Sequence, residues 1–338
     1  MNRHFFKYLS IVAIVVSATS TSCKKDEPKL TLGSEIVEFT AIPTDAKTVN
    51  IQSRIEWSVV IEQMGDWLSV MPMSGNGNAT LTITAQDNDN FEEQRNATIT
   101  ITGEGVQAKT IAVTQKSAVI LLENFSHAAH HNNSTYEVFE YDAQNRITKR
   151  LRYRSTLYEA YTLTYNAYGD LVKMVEEVTA TTTTFTRKDN KISYIEWGTP
   201  VEIELNTQEL PVKKTYLRES EISNLDERTS TFTWENGNLI QVYHEYYINE
   251  EYNYSVTYTY DNKKSPFFYC ATPKWFLLCW HMLGIGYCSE NNVETVKHSQ
   301  NSTETIIISE NTYNDDGFLA SQSGWDVVIG KWYEYMKR

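Results

Sequence analysis

The chain has 338 residues, with 30 Lys and Arg against 43 Asp and Glu, a net charge of −13 at neutral pH and 41% hydrophobic content. That length suffices for one or two domains, each folding around its own apolar core. The acidic balance disfavours nucleic acid and strongly anionic polymers as partners.

Residues 1–22 have the build of an export signal. Arg3 and Lys7 give a positive start, Tyr8 to Val16 is apolar but too short to span a bilayer, and Ser17 to Ser22 is a run of small residues. Removing this segment takes two positive charges with it and leaves a net charge of −15. Cys23 follows the small-residue run at once. This arrangement resembles a bacterial lipobox, with Ser22 and Thr21 fitting and Ser20 standing where Leu is usual. The resemblance implies that the Cys23 thiol carries the lipid anchor, and no later segment reads as a spanning helix. Lys24-Lys25-Asp26-Glu27 resembles the short Lys-plus-acidic export signal of surface lipoproteins in Bacteroidetes-type bacteria. That resemblance implies the outer face of the outer membrane, while the same run also serves as a solvated tether over 23–35.

Tyrosine divides what remains. None of the 22 tyrosines lies between residues 9 and 135, and 21 follow from Tyr136 onward. Two domains with different packing are therefore expected, 36–116 and 136–338, with a linker over 117–135. The expected class is all-β: a sandwich, then an antiparallel meander curled into a barrel-like, water-facing domain.

In the first domain ATLTITA (79–85), NATITIT (96–102) and KTIAVTQ (109–115) alternate apolar residues with Thr. Period two predicts half-buried antiparallel strands, separated by the turns 72–78, 87–90 and 103–105. About seven such strands in some 80 residues suggest an immunoglobulin-like sandwich. The segment resembles the BACON family. The resemblance rests on Trp57 in IEWSVV, Trp67-Leu68 before Pro72, the Ser74-Gly75-Asn76-Gly77 turn, Arg95 ahead of a Thr/Ile strand, and Val113-Thr114-Gln115. Membership implies the N-terminal side of a surface protein or glycan-degrading enzyme, and carbohydrate binding has been proposed from that company. Trp57 and Trp67 are candidates to stack a sugar, and equally to fill the core.

The second domain carries a weak repeat. Tyr141-Asp142-Ala143-Gln144-Asn145-Arg146-Ile147 recurs at 165–171 and 313–319, shortened at 234–239, degenerate at 188–192, and opens again at Tyr260-Asp261-Asn262. The first two copies stand 24 residues apart, which fits one hairpin per repeat. Asp or Asn starts each turn and Gly or Asn takes the positive φ. In RITKRLRYR, alternation puts Arg146, Thr148, Arg150, Arg152 and Arg154 on a wet face and Ile147, Leu151 and Tyr153 on the other. Charges there disfavour a lipid-facing wall. The repeats resemble the YD-type β-repeats of bacterial surface proteins. The whole segment resembles an uncharacterised family of Bacteroidetes-type lipoproteins with a porin-like fold, on its Tyr-Asp turns, TWENGNL (233–239) and TYDNKKSPF (259–267). That family has no assigned activity, so the resemblance names no functional residue.

The apolar stretch 267–288 reads as a plug or lid with a short helix over 274–283, ended by Gly284. Cys270, Cys279 and Cys288 are spaced by nine, which is no zinc pattern, and an odd number gives no disulfide framework. His127, His130 and His131 lack further ligands nearby, so no metal or other cofactor is expected. No nucleophile, phosphate-loop or zinc-protease motif occurs, and adjacent carboxylates point to opposite faces of a strand, so no catalytic residue is assigned. The ligand-binding candidates are Tyr252, Tyr254, Tyr258 and Tyr260 of EYNYSVTYTY, with Tyr243 and Tyr246 or Tyr247 on the partner strand. They suit a sugar platform and equally the wall of a sheet. The expected role is non-enzymatic binding of a glycan or host-surface component. A structural or interaction module of a surface complex and an enzyme with an unrecognised carboxylate pair are the alternatives.

Overall fold

The computed structural model describes residues 27–127, 135–217, 228–246, 250–279, 288–323 and 331–338. Two compact units emerge. The first holds the chain to Phe39, Pro43–Asp87 and Gln94–Lys116, and the second holds Thr40–Ile42, Asn88–Glu93 and Ser117–Arg338. Cys23, His130, His131, Tyr247 and Gly284 lie outside the described residues.

The first unit is a sandwich. Its strands are β1 (Leu30–Leu32), β2 (Ile36–Phe39), β3 (Lys47–Ser53), β4 (Glu56–Gln63), β5 (Leu68–Met71), β6 (Ser74–Asn76), β7 (Ala79–Ala85), β8 (Arg95–Gly103) and β9 (Lys109–Gln115). They form a four-stranded sheet, β1-β3-β7-β5, and a five-stranded sheet, β2-β9-β8-β4-β6. The alternation seen in the sequence is the alternation of the faces. Leu81, Ile83, Ile99, Ile101, Ile111 and Val113 are buried, while outward hydroxyls pair across strands, as Ser69 does with Thr84. β1 falls inside the segment read as a tether and pairs with β3.

The second unit is a meander: β10 (Ile120–His127), β11 (Thr135–Tyr141), β12 (Ile147–Arg154), β13 (Thr156–Tyr165), β14 (Leu171–Glu176), β15 (Thr181–Thr184), β16 (Thr186–Lys188), β17 (Lys191–Glu196), β18 (Thr199–Leu205), β19 (Pro211–Tyr216), β20 (Arg228–Glu235), β21 (Asn238–Tyr246), β22 (Tyr254–Lys264), β23 (Asn291–Gln300), β24 (Thr303–Ile308), β25 (Glu310–Tyr313), β26 (Leu319–Ser323) and β27 (Lys331–Lys337). These form two nine-stranded sheets, β15-β14-β13-β12-β11-β10-β27-β26-β25 and β16-β17-β18-β19-β20-β21-β22-β23-β24. Only Phe185 separates β15 from β16, and only Ser309 separates β24 from β25. Each pair is one bent strand that pairs in one sheet before the bend and in the other after it. Strands that switch sheets in this way form the corners of closed β structures. The last strand, β27, returns to pair with β10, so pairing runs around the whole ring. The segment read as a linker thus supplies a sheet strand, and its Leu121, Leu122 and Phe125 are in the core.

One interaction recurs at five connections of the ring. The ladder between β12 and β13 ends at the Lys149–Thr162 pair, two residues short of Ile147. The Tyr165 hydroxyl donates instead to the Ile147 carbonyl at 2.8 Å. Tyr141 does the same for Leu122 at 2.7 Å, Tyr260 for Leu239 at 2.6 Å and Tyr335 for Leu319 at 2.7 Å. The indole of Trp234 serves Pro211 at 2.7 Å. Each aromatic belongs to one hairpin and its acceptor to the hairpin before. A register shift lies beside Tyr141, Tyr165, Trp234 and Tyr260, its extra residue on the partner strand, while each ring points inward in step with buried Phe139, Leu163, Phe232 and Tyr258.

A bulge of the same kind corrects the reading of the arginine strand. Glu140 pairs with Lys149 but Tyr141 with Ile147, so Thr148 is the extra residue and the faces exchange beyond it. Arg150 and Arg152 therefore point inward, opposite Phe139 and Glu137. Arg150, buried, meets buried Glu137 at 2.6 Å. Inside the other sheet, buried Lys214 meets buried Glu196 at 2.7 Å and donates to the Cys279 carbonyl at 2.9 Å. Removing one member of such a pair strands the other and costs roughly 3–5 kcal/mol. Outward positions carry Glu202, Lys213, Thr231, Thr233 and Thr259 rather than the apolar band of a lipid-facing barrel.

The insertion at 265–290 occupies the place of a repeat turn. Tyr260-Asp261 opens that turn, and the Asp261 carboxylate accepts from the Lys263 and Asn292 backbone N–H groups. The chain then leaves the ring, and Ser265 N–H to the Glu290 carbonyl clips the base of the excursion at 2.8 Å. Its helix α1 (Lys274–Cys279) is the described part of the helix expected over 274–283. Phe267, Trp275, Phe276, Leu277 and Cys279 enter the barrel core, where Trp275 meets the corner residue Phe185 edge-on at 5.2 Å.

Two stability measurements follow. Tyr141→Phe removes the donor of a buried bond and should cost about 1–3 kcal/mol. Tyr258→Ala empties a core position and should cost about 3–5 kcal/mol. Urea unfolding of the full chain measures both, and a loss under 0.5 kcal/mol for Tyr141→Phe would show the latch to be dispensable.

Candidate functional site

The repeat turns all fall at one end of the barrel, because each repeat spans two strands. Four of them share one geometry. The side-chain oxygen of Asp142, Asn166 or Asn206 accepts the N–H of the second and the fourth residue onward, and Asn314 accepts that of Phe318. The fourth residue of each turn has positive φ: Asn145 at 62°, Gly169 at 93°, Glu209 at 62° and Gly317 at 82°. Asn and Gly suit that conformation. Glu does not, and holding it there costs roughly 1–2 kcal/mol.

Glu209 lines a cleft of about 690 Å³ at this end. The walls come from two of the turns (Tyr168, Gly169, Asp170; Gln208, Glu209, Leu210), from Arg187 of β16, and from the insertion (Cys270 to Trp275 and Glu290). Arg187 Nη1 meets Asp170 at 3.1 Å and Nη2 meets Glu209 at 2.7 Å, while Nε donates to the Asp189 carbonyl at 3.2 Å. The Glu209 carboxylate is the main cause that holds the Arg187 pKa above its ordinary value. Lys274 and Glu290 line the same cleft without an ion pair to any described residue. Gly237 is required here twice over. Its φ is 75°, and a Cβ would stand 2.3 Å from the Glu290 carboxylate. Tyr168, at the tip of its turn, is 93% exposed and offers its ring at the rim. The insertion is stitched to the first turn by Ala271 N–H to the Asn145 carbonyl, 2.9 Å, and by Ile147 N–H to the Thr272 hydroxyl, 2.7 Å.

The cleft thus combines an exposed aromatic ring, a guanidinium between two carboxylates, and an ammonium and a carboxylate without ion pairs among the described residues. Such a set exchanges many hydrogen bonds with a polyhydroxylated ligand. Asp170 and Glu209 are bridged by the one guanidinium of Arg187, so donors and acceptors stand side by side on this wall. Among the described residues no group of three His, Cys, Asp or Glu could hold a metal ion.

The residues singled out from the sequence are dispersed. Trp57 is 3% exposed, with its indole N–H bonded to the Gly77 carbonyl at 2.9 Å and its ring against Gly75. Trp67 is likewise in the sandwich core, and neither ring faces solvent. The tyrosine stripe divides. Tyr258 is buried in the barrel core, Tyr260 is a latch, and Tyr254 is half-buried against His244 with ring centroids 4.4 Å apart. Tyr243 lies on the opposite, outward face, paired with Ser255. Tyr252 has left the strand for a 3-10 turn (Glu250–Tyr252), is 54% exposed, and lines a shallow groove with His298, Gln300, Asn301, Thr303 and Thr305. Sequence reasoning passed over Tyr168, Arg187 and Glu209. Tyr168 was within reach, since an aromatic at a turn tip has no core to enter. Glu209 stands where the repeat calls for Gly or Asn and so hid its turn.

Desolvation pushes the described thiols up, half-buried Cys270 to about 11 and buried Cys279 and Cys288 to about 12. The thiolate is the reactive form. In a Cys23→Ala chain at pH 8, maleimide should label the native protein slowly and the urea-unfolded protein fully. Rapid native labelling would contradict this burial.

The fold is therefore an all-β pairing of a sandwich with a closed, plugged barrel. Residues 56–116 match the BACON family, described as a putative binding domain, N-terminal. No curated protein matches the chain. Among solved structures, a Bacteroides ovatus GH5 xyloglucanase in complex with a XXXG heptasaccharide shows 24% identity over 27% of this chain and 19% of its own, with a TM-score of 0.24. A porin-like protein from Bacteroides uniformis shows 15% identity over 64% of this chain and 96% of its own, TM-score 0.34. Another from Bacteroides vulgatus shows 9% identity over 64% and 99%, TM-score 0.31. Likenesses this slight carry no argument, and the barrel is read from its own strand pairing.

Proposed function

We propose that the protein is a lipid-anchored cell-surface binding protein that takes a glycan in the turn-end cleft of its barrel and does not transform it. The observation that carries this reading is the exposed Tyr168 ring beside the Asp170–Arg187–Glu209 cluster. A sugar ring presents one apolar face, which stacks on an aromatic, and an edge of hydroxyls, which needs donors and acceptors together. Arg187 and the two carboxylates it bridges supply those donors and acceptors within one cluster. The BACON sandwich adds a second module of a family described as a putative binding domain, and with Trp57 and Trp67 in its core any contact there uses other residues. Anchorage at the outer membrane, facing outward, rests on the small-residue run before Cys23 and the charged segment after it.

Affinity electrophoresis through gels containing polysaccharides tests the binding. The wild-type chain should be retarded by at least one neutral polysaccharide. Tyr168→Ala should weaken that retardation about tenfold or more, and its melting temperature should stay near that of the wild type, because surface substitutions cost within about 0.5 kcal/mol. Hydrolysis of the retarding polysaccharide would instead support an enzyme, and silence across the gels would favour a structural module. Fractionation tests the anchor. Wild type should travel with the outer membrane and Cys23→Ala should leave it; a mutant fully retained would contradict lipidation.

A further inference from the structure

We infer that Glu209 sets the specificity of this cleft, selecting a neutral sugar that presents two adjacent free hydroxyls over an acidic sugar. The inference deepens the binding reading above and rests on it. Of the four turns of one geometry, three carry Asn145, Gly169 and Gly317 at the left-handed position, and the fourth carries Glu209 there, at φ 62°, with its side chain in the cleft. A residue kept in an unfavourable conformation at a cleft wall points to a role for its side chain in that cleft. The side chain is well placed for one. Arg187 has five N–H donors, and three are taken by Asp189, Asp170 and Glu209, leaving two. Glu209 binds Arg187 through Oε1, which leaves Oε2 as an acceptor. Adjacent hydroxyls can each give a hydrogen to the carboxylate and take one from the guanidinium, so the pair matches a diol in both senses. The carboxylate of an acidic sugar would instead meet Asp170, Glu209 and Glu290 against the two cations Arg187 and Lys274.

The test uses the full chain, with galactomannan as the neutral diol probe and polygalacturonate as the acidic one. Glu209→Gly and Glu209→Asn install the residues of the sister turns. Their melting temperatures should equal or exceed that of the wild type, by up to about 2–4 °C, while galactomannan binding falls tenfold or more. Glu209→Gln, which keeps the backbone and removes the charge, should also lose binding. A melting temperature lowered by more than about 4 °C in Glu209→Gly would make Glu209 a structural residue and overturn the inference. Undiminished galactomannan binding by Glu209→Gly, or preference for polygalacturonate, would overturn it while leaving the cleft reading intact, provided Tyr168→Ala still loses binding. Retardation of the wild type by neither probe would overturn the inference, and the cleft reading falls with it only if no other neutral polysaccharide retards the chain.

Discussion

The barrel depends on a hydrogen bond that replaces a missing rung of its ladder. Where neighbouring hairpins part, two residues before the repeat turn is reached, a backbone carbonyl is left facing inward. A buried, unpaired carbonyl costs free energy comparable to a lost hydrogen bond. The aromatic of the next hairpin supplies the donor, at Leu122, Ile147, Pro211, Leu239 and Leu319. The rings cover the same end of the core, so one residue satisfies both the backbone and the apolar interior. At 141, 165 and 260 the Tyr ties a hairpin to the last one and the Asp or Asn after it starts the next, whereas Tyr313 donates to Asp261.

The described part of the 265–290 insertion packs into the core at the turn-bearing end, through Phe267, Trp275, Phe276 and Leu277. The insertion brings Thr272, Lys274 and Trp275 beside the turns at 166–170 and 206–210. Lys214 anchors its helix from below by bonding the Cys279 carbonyl. The cleft is thus built from the repeat, its interruption and a bent strand, three features with separate structural causes. Loops on a rigid scaffold are a common seat of binding, and here the scaffold is the ring of latched hairpins.

Much of this was legible in the sequence. Period-two alternation with Thr gave β7, β8 and β9, and the Tyr-Asp turns at 141, 165 and 313 gave hairpins in the right places. What escaped had local causes. A single extra residue, Thr148, turned Arg150 and Arg152 from the outer face to the inner, and counting by twos cannot see a bulge. β10 lacks a Tyr and sits beside a His- and Asn-rich segment, so composition assigned it to a linker. Tyr252 left its expected strand face because the chain turns at Glu250. The Asn206 turn was masked by Glu209, the very substitution that makes it part of the candidate site.

Hydrogen exchange followed by mass spectrometry, with and without galactomannan, locates the ligand without altering any residue. The account requires slowed exchange at 166–170, 206–210 and 271–275, where turn amides and the insertion border the cleft. Protection confined to 250–254 and 298–305, or to the sandwich strands, with these three segments unchanged, would contradict it.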